Sequence, residues 1–202
     1  LDAYYKYQLE NEDKSLKKGT GYRLVENILK INSFFSSDER QVEVIILSKN
    51  NAATSLRITN AINDLKLDII RSAWTSGTNI SNYLKAFKVD LFLSADDNDV
   101  LNAIENGVAA AKILHSNENI NNSSNNQVRI AFDGDAVLFS EESELVYKNH
   151  GLEAFIEHEK ENRNNPLEMG PFAKLLLTIA KIQAKFPTEK SPIRTALVTA
   201  RS

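Results

Sequence analysis

Val128-Arg129-Ile130-Ala131-Phe132-Asp133-Gly134-Asp135-Ala136-Val137 is the stretch from which the chain becomes readable. Val128 to Phe132 has the composition of a buried strand, and it delivers two carboxylates, Asp133 and Asp135, to the point where that strand should end. In an open α/β sheet the carboxyl ends of the strands are where ligands bind. The spacing suits a division of labour: one carboxylate attacks an electrophile while the other serves as acid and base. Gly134 between them lets backbone N–H groups approach a phosphate closely. A hard divalent cation such as Mg²⁺ would bridge a carboxylate and substrate oxygens. A plain hairpin turn would want polar alternation on both sides, and the apolar Ala136-Val137-Leu138-Phe139 that follows does not supply it.

Outward from this point the apolar pattern alternates between helix and strand. Upstream, helical spacing is expected over 1–12 and 21–35, the latter with Leu24, Ile28, Ile31 and Phe35 on one face. A strand follows over Val42–Leu47, then a helix over 53–65, a strand over Leu67–Ala73 and a short helix over 80–87. Next come a strand over Val89–Ser94, a helix over Asp97–Asn106 and a small-residue strand over Ala109–Leu114. Downstream of Asp135 helices are expected near 141–149, 151–162 and 170–186, and a last strand over 194–199. Strands that alternate with helices predict an α/β fold with a mainly parallel sheet.

The composition excludes several classes. The 202 residues carry 24 Lys+Arg against 27 Asp+Glu, a formal charge of −3, with 42% hydrophobic residues. That is the profile of a globular domain rather than a disordered or collagen-like chain. No basic stripe suggests a nucleic-acid polymer as partner, and no apolar run approaches the ~20 residues that span a bilayer. The absence of cysteine removes thiol catalysis and thiolate metal sites, and fits a reducing compartment. Both termini read as cut, Leu1 in mid-helix and Ser202 as a strand closes, so a longer parent chain is expected.

Laying residues 1–50 on 152–201 at an offset of 151 gives 11 identities in 50, among them Leu24/Leu175, Ile28/Ile179, Ile31/Ile182 and Phe35/Phe186. Ordinary composition would give about three. Each copy closes in a β-run capped by a hydroxyl, Leu47-Ser48 and Val198-Thr199. The pattern predicts an internal duplication. Residues 1–115 form a first α/β repeat, 116–127 an Asn/Ser-rich linker, and 128–202 the start of a second repeat with a helical, cap-like segment over about 140–187.

Phe132-Asp133-Gly134-Asp135-Ala136-Val137 resembles the D-x-D-x-[TV] motif of the haloacid dehalogenase superfamily of phosphohydrolases. The longer run AFDGDAVLFSEESE, residues 131–144, is similar to the cytosolic 5′-nucleotidase type I family in particular. So are Gly151-Leu152-Glu153-Ala154-Phe155, Leu91-Phe92-Leu93-Ser94-Ala95-Asp96 and the closing Pro192-Ile193-Arg194 … Val198-Thr199-Ala200-Arg201-Ser202. The resemblance covers nearly the whole chain. It implies a Rossmann-like fold and a cytoplasmic enzyme that hydrolyses nucleoside 5′-monophosphates with Mg²⁺. Asp133 would be the nucleophile that forms an aspartyl-phosphate, and Asp135 the acid that protonates the leaving nucleoside. Mg²⁺ would sit on the Asp133 carboxylate and the Asp135 carbonyl. Gly134 and Thr199 would hold the phosphoryl group, with Arg201 a further substrate contact.

The superfamily also needs a lysine and a further acidic pair, both expected beyond Thr199 and so outside this chain. The first repeat offers counterparts in Ser48, Lys85, Asp96 and Asp97, which read either as relics of a non-catalytic half, one aspartate capping a helix, or as groups that reach Asp133. Two other functions fit the same residues: a non-catalytic fragment that binds a nucleotide or a partner, including a second copy through an unfinished sheet edge, and a phosphatase for another small phosphate ester. His115, His150 and His158 lack metal-ligand spacing, and Gly19-Thr20-Gly21 lacks the lysine of a phosphate loop.

Overall fold

The computed structural model describes residues 2–114, 127–133, 142–162, 164 and 172–198. Helix α1 (Asp2–Glu10) precedes α2 (Tyr22–Lys30), which a 3₁₀ turn, Ile31–Phe34, prolongs. Strand β1 (Ile45–Ser48), α3 (Leu56–Asp64), β2 (Arg71–Trp74), α4 (Ser81–Ala86), β3 (Leu91–Ser94), α5 (Asp97–Glu105) and β4 (Ala109–Lys112) then alternate strictly. Strand β5 (Val128–Asp133), α6 (Glu142–Asn162), α7 (Ala173–Gln183) and β6 (Ile193–Val198) complete the order. The strands pair in parallel as β1–β2, β3–β4 and β5–β6, with helices packed against them, so the α/β expectation holds. Most of the expected linker, 116–127, lies outside the described residues.

Packing follows from the two-residue strand period. On β3–β4, Leu91 and Ala109 face a core shared with α2 and α7, whereas Phe92 and Ala110 face the opposite core, built on Ile80, Leu84, Ala103 and Val108. Both faces are therefore covered, as parallel pairs require. On β5–β6, Val128, Ile130, Phe132 and Ile193 enter the first core, and Arg129, Ala131 and Asp133 point the other way and are exposed. Residues 1–115 and 128–202 thus do not keep separate cores: Ile31 and Ala109 pack with Val128, Leu175 and Ile179.

The 151-residue offset recurs in the contacts. Leu24, Ile28, Ile31 and Phe35 and their counterparts Leu175, Ile179, Ile182 and Phe186 all belong to one core. Asn32 Nδ2 donates to the Val42 carbonyl at 2.9 Å, and Gln183 Nε2, 151 residues on, donates to the Ile193 carbonyl, also 151 residues on, at 3.1 Å. In each case an amide at a helix end pins the start of the next strand segment. Phe35 and Phe186 meet edge to face at 5.5 Å.

Several boundaries differ from expectation. Val42 lies before β1 because Asn32 Oδ1 accepts the Gln41 and Val42 amides, which occupies that stretch with a helix end instead of a neighbouring strand. Leu67–Ile70 precede β2 because Lys66 takes a left-handed turn (φ 51°) and the Ile69 amide bonds back to the Leu67 carbonyl. Helices 141–149 and 151–162 run together as α6, broken at Gly151, whose φ of 83° and ψ of −175° no helix contains.

Candidate active site

Strand β5 places Asp133 at its carboxyl end by simple alternation: Val128, Ile130 and Phe132 face the core, and Arg129, Ala131 and Asp133 face out. The parallel register sets Asp133 opposite Val198, so β5 and β6 end level with each other. Asp133 is exposed. Gly134, Asp135, Thr199 and Arg201 fall outside the described residues.

A second group of polar side chains gathers at the carboxyl ends of β1 and β3. Ser48 closes β1 and its Oγ accepts the Asn50 amide at 3.2 Å; Ser94 closes β3 and its Oγ accepts the Asp96 amide at 3.1 Å. Asp96 is the N-cap of α5, its carboxylate accepting the Asp99 amide at 3.0 Å, which matches the capping alternative read from sequence. Asp97 pairs with Lys112 at 2.8 Å. Lys49, the residue after β1, donates to buried Asp99 at 2.7 Å and ties the two strand ends together. That hydrogen bond raises the Lys49 pKa above its usual value, and desolvation opposes the shift. Sequence reasoning missed Lys49 and Asp99. The available signal was a lysine directly after a strand-closing serine and an aspartate three residues beyond a cap.

Lys85 does not join this group. It sits on α4 ahead of β3, lining a cleft with Val89, Gly107 and Val108, whereas Asp96 and Asp97 follow the other end of β3. The structure therefore holds the expected lysine and acidic pair a strand's length apart. Among the described residues no group of three or more His, Asp or Glu could hold a metal ion. No helix of the described residues is long and apolar enough to cross a membrane.

An exposed carboxylate at the end of a parallel strand, in an α/β frame, stands at the edge where open α/β sheets bind their ligands. A family model described as 5′-nucleotidase matches residues 1–202, and the chain belongs to that family. Human cytosolic 5′-nucleotidase 1B is 35% identical over 210 residues, a match that takes in 100% of this chain and 34% of that protein. The chain thus spans about a third of the length of this curated relative. No solved structure matches it significantly.

Proposed function

We propose that this chain carries the nucleophile of a Mg²⁺-dependent enzyme that hydrolyses nucleoside 5′-monophosphates to nucleoside and phosphate. The observation that carries this reading is the exposed Asp133 at the carboxyl end of β5, in a chain of the 5′-nucleotidase family. An Asp133 carboxylate oxygen attacks phosphorus and the bond from phosphorus to the nucleoside 5′-oxygen breaks, which leaves an aspartyl-phosphate. Asp135 gives its proton to the departing 5′-oxygen, then takes one from the water that cleaves the acyl phosphate and regenerates Asp133. Gly134 and Thr199 supply donors to the phosphoryl oxygens, and Arg201 supplies a charge for the substrate. Asp133 and Asp135 would hold Mg²⁺. An exposed carboxylate is the hard oxygen donor that Mg²⁺ accepts beside substrate phosphate and water, and the ion would offset the phosphate's negative charge.

The first repeat is read as a non-catalytic sister of the second, from a duplication supported by the paired hydrogen bonds of Asn32 and Gln183 and by the shared core positions. On this reading Ser48 and Asp96 shape strand and helix ends, and Asp97 and Lys85 serve their own half. A cytoplasmic location follows the relative's description as cytosolic.

Phosphate release from a panel of nucleoside monophosphates by the full-length gene product tests the assignment. Asp133→Asn should lower turnover at least ~10³-fold while the circular dichroism spectrum stays unchanged. Turnover close to wild type in a folded Asp133→Asn protein would refute the nucleophile assignment.

A further inference from the structure

Asn106-Gly107 is the only Asn-Gly pair in the 202 residues. It stands where α5 ends: Asn106 is the C-cap, and Gly107, in a left-handed conformation (φ 73°), turns the chain toward β4. Such a pair sets a side-chain amide beside a backbone nitrogen that no neighbouring side chain shields. The chemistry open to it is closure of a five-membered ring between the Gly107 nitrogen and the Asn106 Cγ.

The fold engages both reacting groups elsewhere. The Gly107 N–H donates to the Ile104 carbonyl at 2.8 Å, which holds its proton in place and keeps the nitrogen from attacking. Asn106 Nδ2 donates to the Asn102 carbonyl at 2.8 Å, which draws the side chain back along α5. The Asn106 amide bonds to that same carbonyl at 3.2 Å, and the Val108 amide to the Ala103 carbonyl at 3.0 Å. Four hydrogen bonds thus hang on the last turn of α5, and losing that turn frees the nitrogen and the side chain together. Gly107 is exposed and Asn106 half-buried, so water has access to the pair.

We propose that Asn106-Gly107 is a deamidation site held closed by the α5–β4 turn and released when that turn opens. In the open turn the Gly107 nitrogen gives its proton to solvent and bonds to Asn106 Cγ. The Cγ–Nδ2 bond breaks and ammonia leaves, forming a cyclic imide. Water then adds across either imide carbonyl and yields aspartate or isoaspartate at position 106. Neither product rebuilds the turn. A carboxylate cannot donate to the Asn102 carbonyl, and it sets a negative charge at a helix C-terminus. Isoaspartate also lengthens the backbone by a methylene just ahead of Val108, Ala109 and Ala110, which are buried in the two cores that β4 joins. Each opening therefore risks a change that the closed fold cannot reverse.

Peptide mapping by mass spectrometry tests the site, with the 202-residue chain incubated at neutral pH beside a free peptide spanning 102–112. The folded chain should deamidate at Asn106 at least ~10-fold more slowly than the peptide. Low concentrations of guanidinium should raise the deamidation rate and the Gly107 amide-exchange rate by the same factor. Ala103→Gly, at a buried position in the last turn of α5, should raise both about fivefold or more. Equal rates in the folded chain and the peptide overturn the proposal. A slow rate in the folded chain that stays fixed while Gly107 exchange quickens overturns it too, since protection would then come from something other than the turn.

Discussion

Lys49 shows how much one contact can be asked to do. Its ammonium joins the end of β1 to Asp99 on the first turn of the helix after β3, and the Asp99 side chain is only 9% exposed. Removing the cation leaves a nearly buried carboxylate with its helix N-terminus for support, so Lys49→Met should cost about 1–2 kcal/mol in urea unfolding at pH 7. The sign of the pH dependence follows from the raised Lys49 pKa. The pair's contribution is complete below the unfolded value near 10.5 and fades as pH rises through the folded value. Wild type should therefore lose its advantage over Lys49→Met as pH rises past the unfolded value near 10.5. An advantage that does not decline with rising pH would show that the aliphatic stem, and not the charge, holds the strand ends together. The place of Asp133 at a strand end was legible in the sequence because the signal is local: a run of strand-type residues closed by a carboxylate and a glycine. The grouping of Lys85 with Asp96 and Asp97 was not legible. They stand ten or so positions apart in sequence, and only the path of β3 shows that they occupy opposite ends of it.

Element by element, helix and strand types followed from periodicity, and their ends followed from turn chemistry. The alternation around β3 and β4 was legible because parallel strands covered on both faces leave short apolar runs between amphipathic helices. Strand starts were not, since the amide of Asn32 and the turn at Lys66 take up residues that look strand-like in isolation. Gly151 is the sharpest case in α6. Its φ of 83° with ψ of −175° lies in a region open essentially to glycine alone, and among the described residues nothing lies within 4 Å of where a Cβ would stand. Strain, not a clash, would decide the outcome there. Gly151→Ala should destabilise the break by about 1–3 kcal/mol and speed amide exchange in the flanking turns. Slower exchange across residues 142–162 would mean instead that α6 had straightened into one continuous helix.

At the scale of the whole molecule, the segments that follow α2 and α7 meet through positions that the 151-residue offset equates. The Phe35 ring touches Phe186, its own counterpart. Phe34 meets Phe186 at 5.5 Å, and Lys185, the counterpart of Phe34, lies 5.2 Å over the Phe35 ring. Contacts that cross in this way, i with j and j with i, are the mark of a two-fold arrangement. A double-mutant cycle of Phe35→Ala and Phe186→Ala should give a coupling of about 0.5–1.5 kcal/mol in unfolding experiments. Additive losses would mean that the rings share a neighbourhood without holding one another. If the two halves descend from one sequence, as we propose, a ring and an ammonium now fill seats that a single ancestral codon once specified, the cation over the Phe35 ring standing where a second ring would otherwise lie. Phe35 and Phe186 are then a pair in which both halves keep the ring and each seats the other.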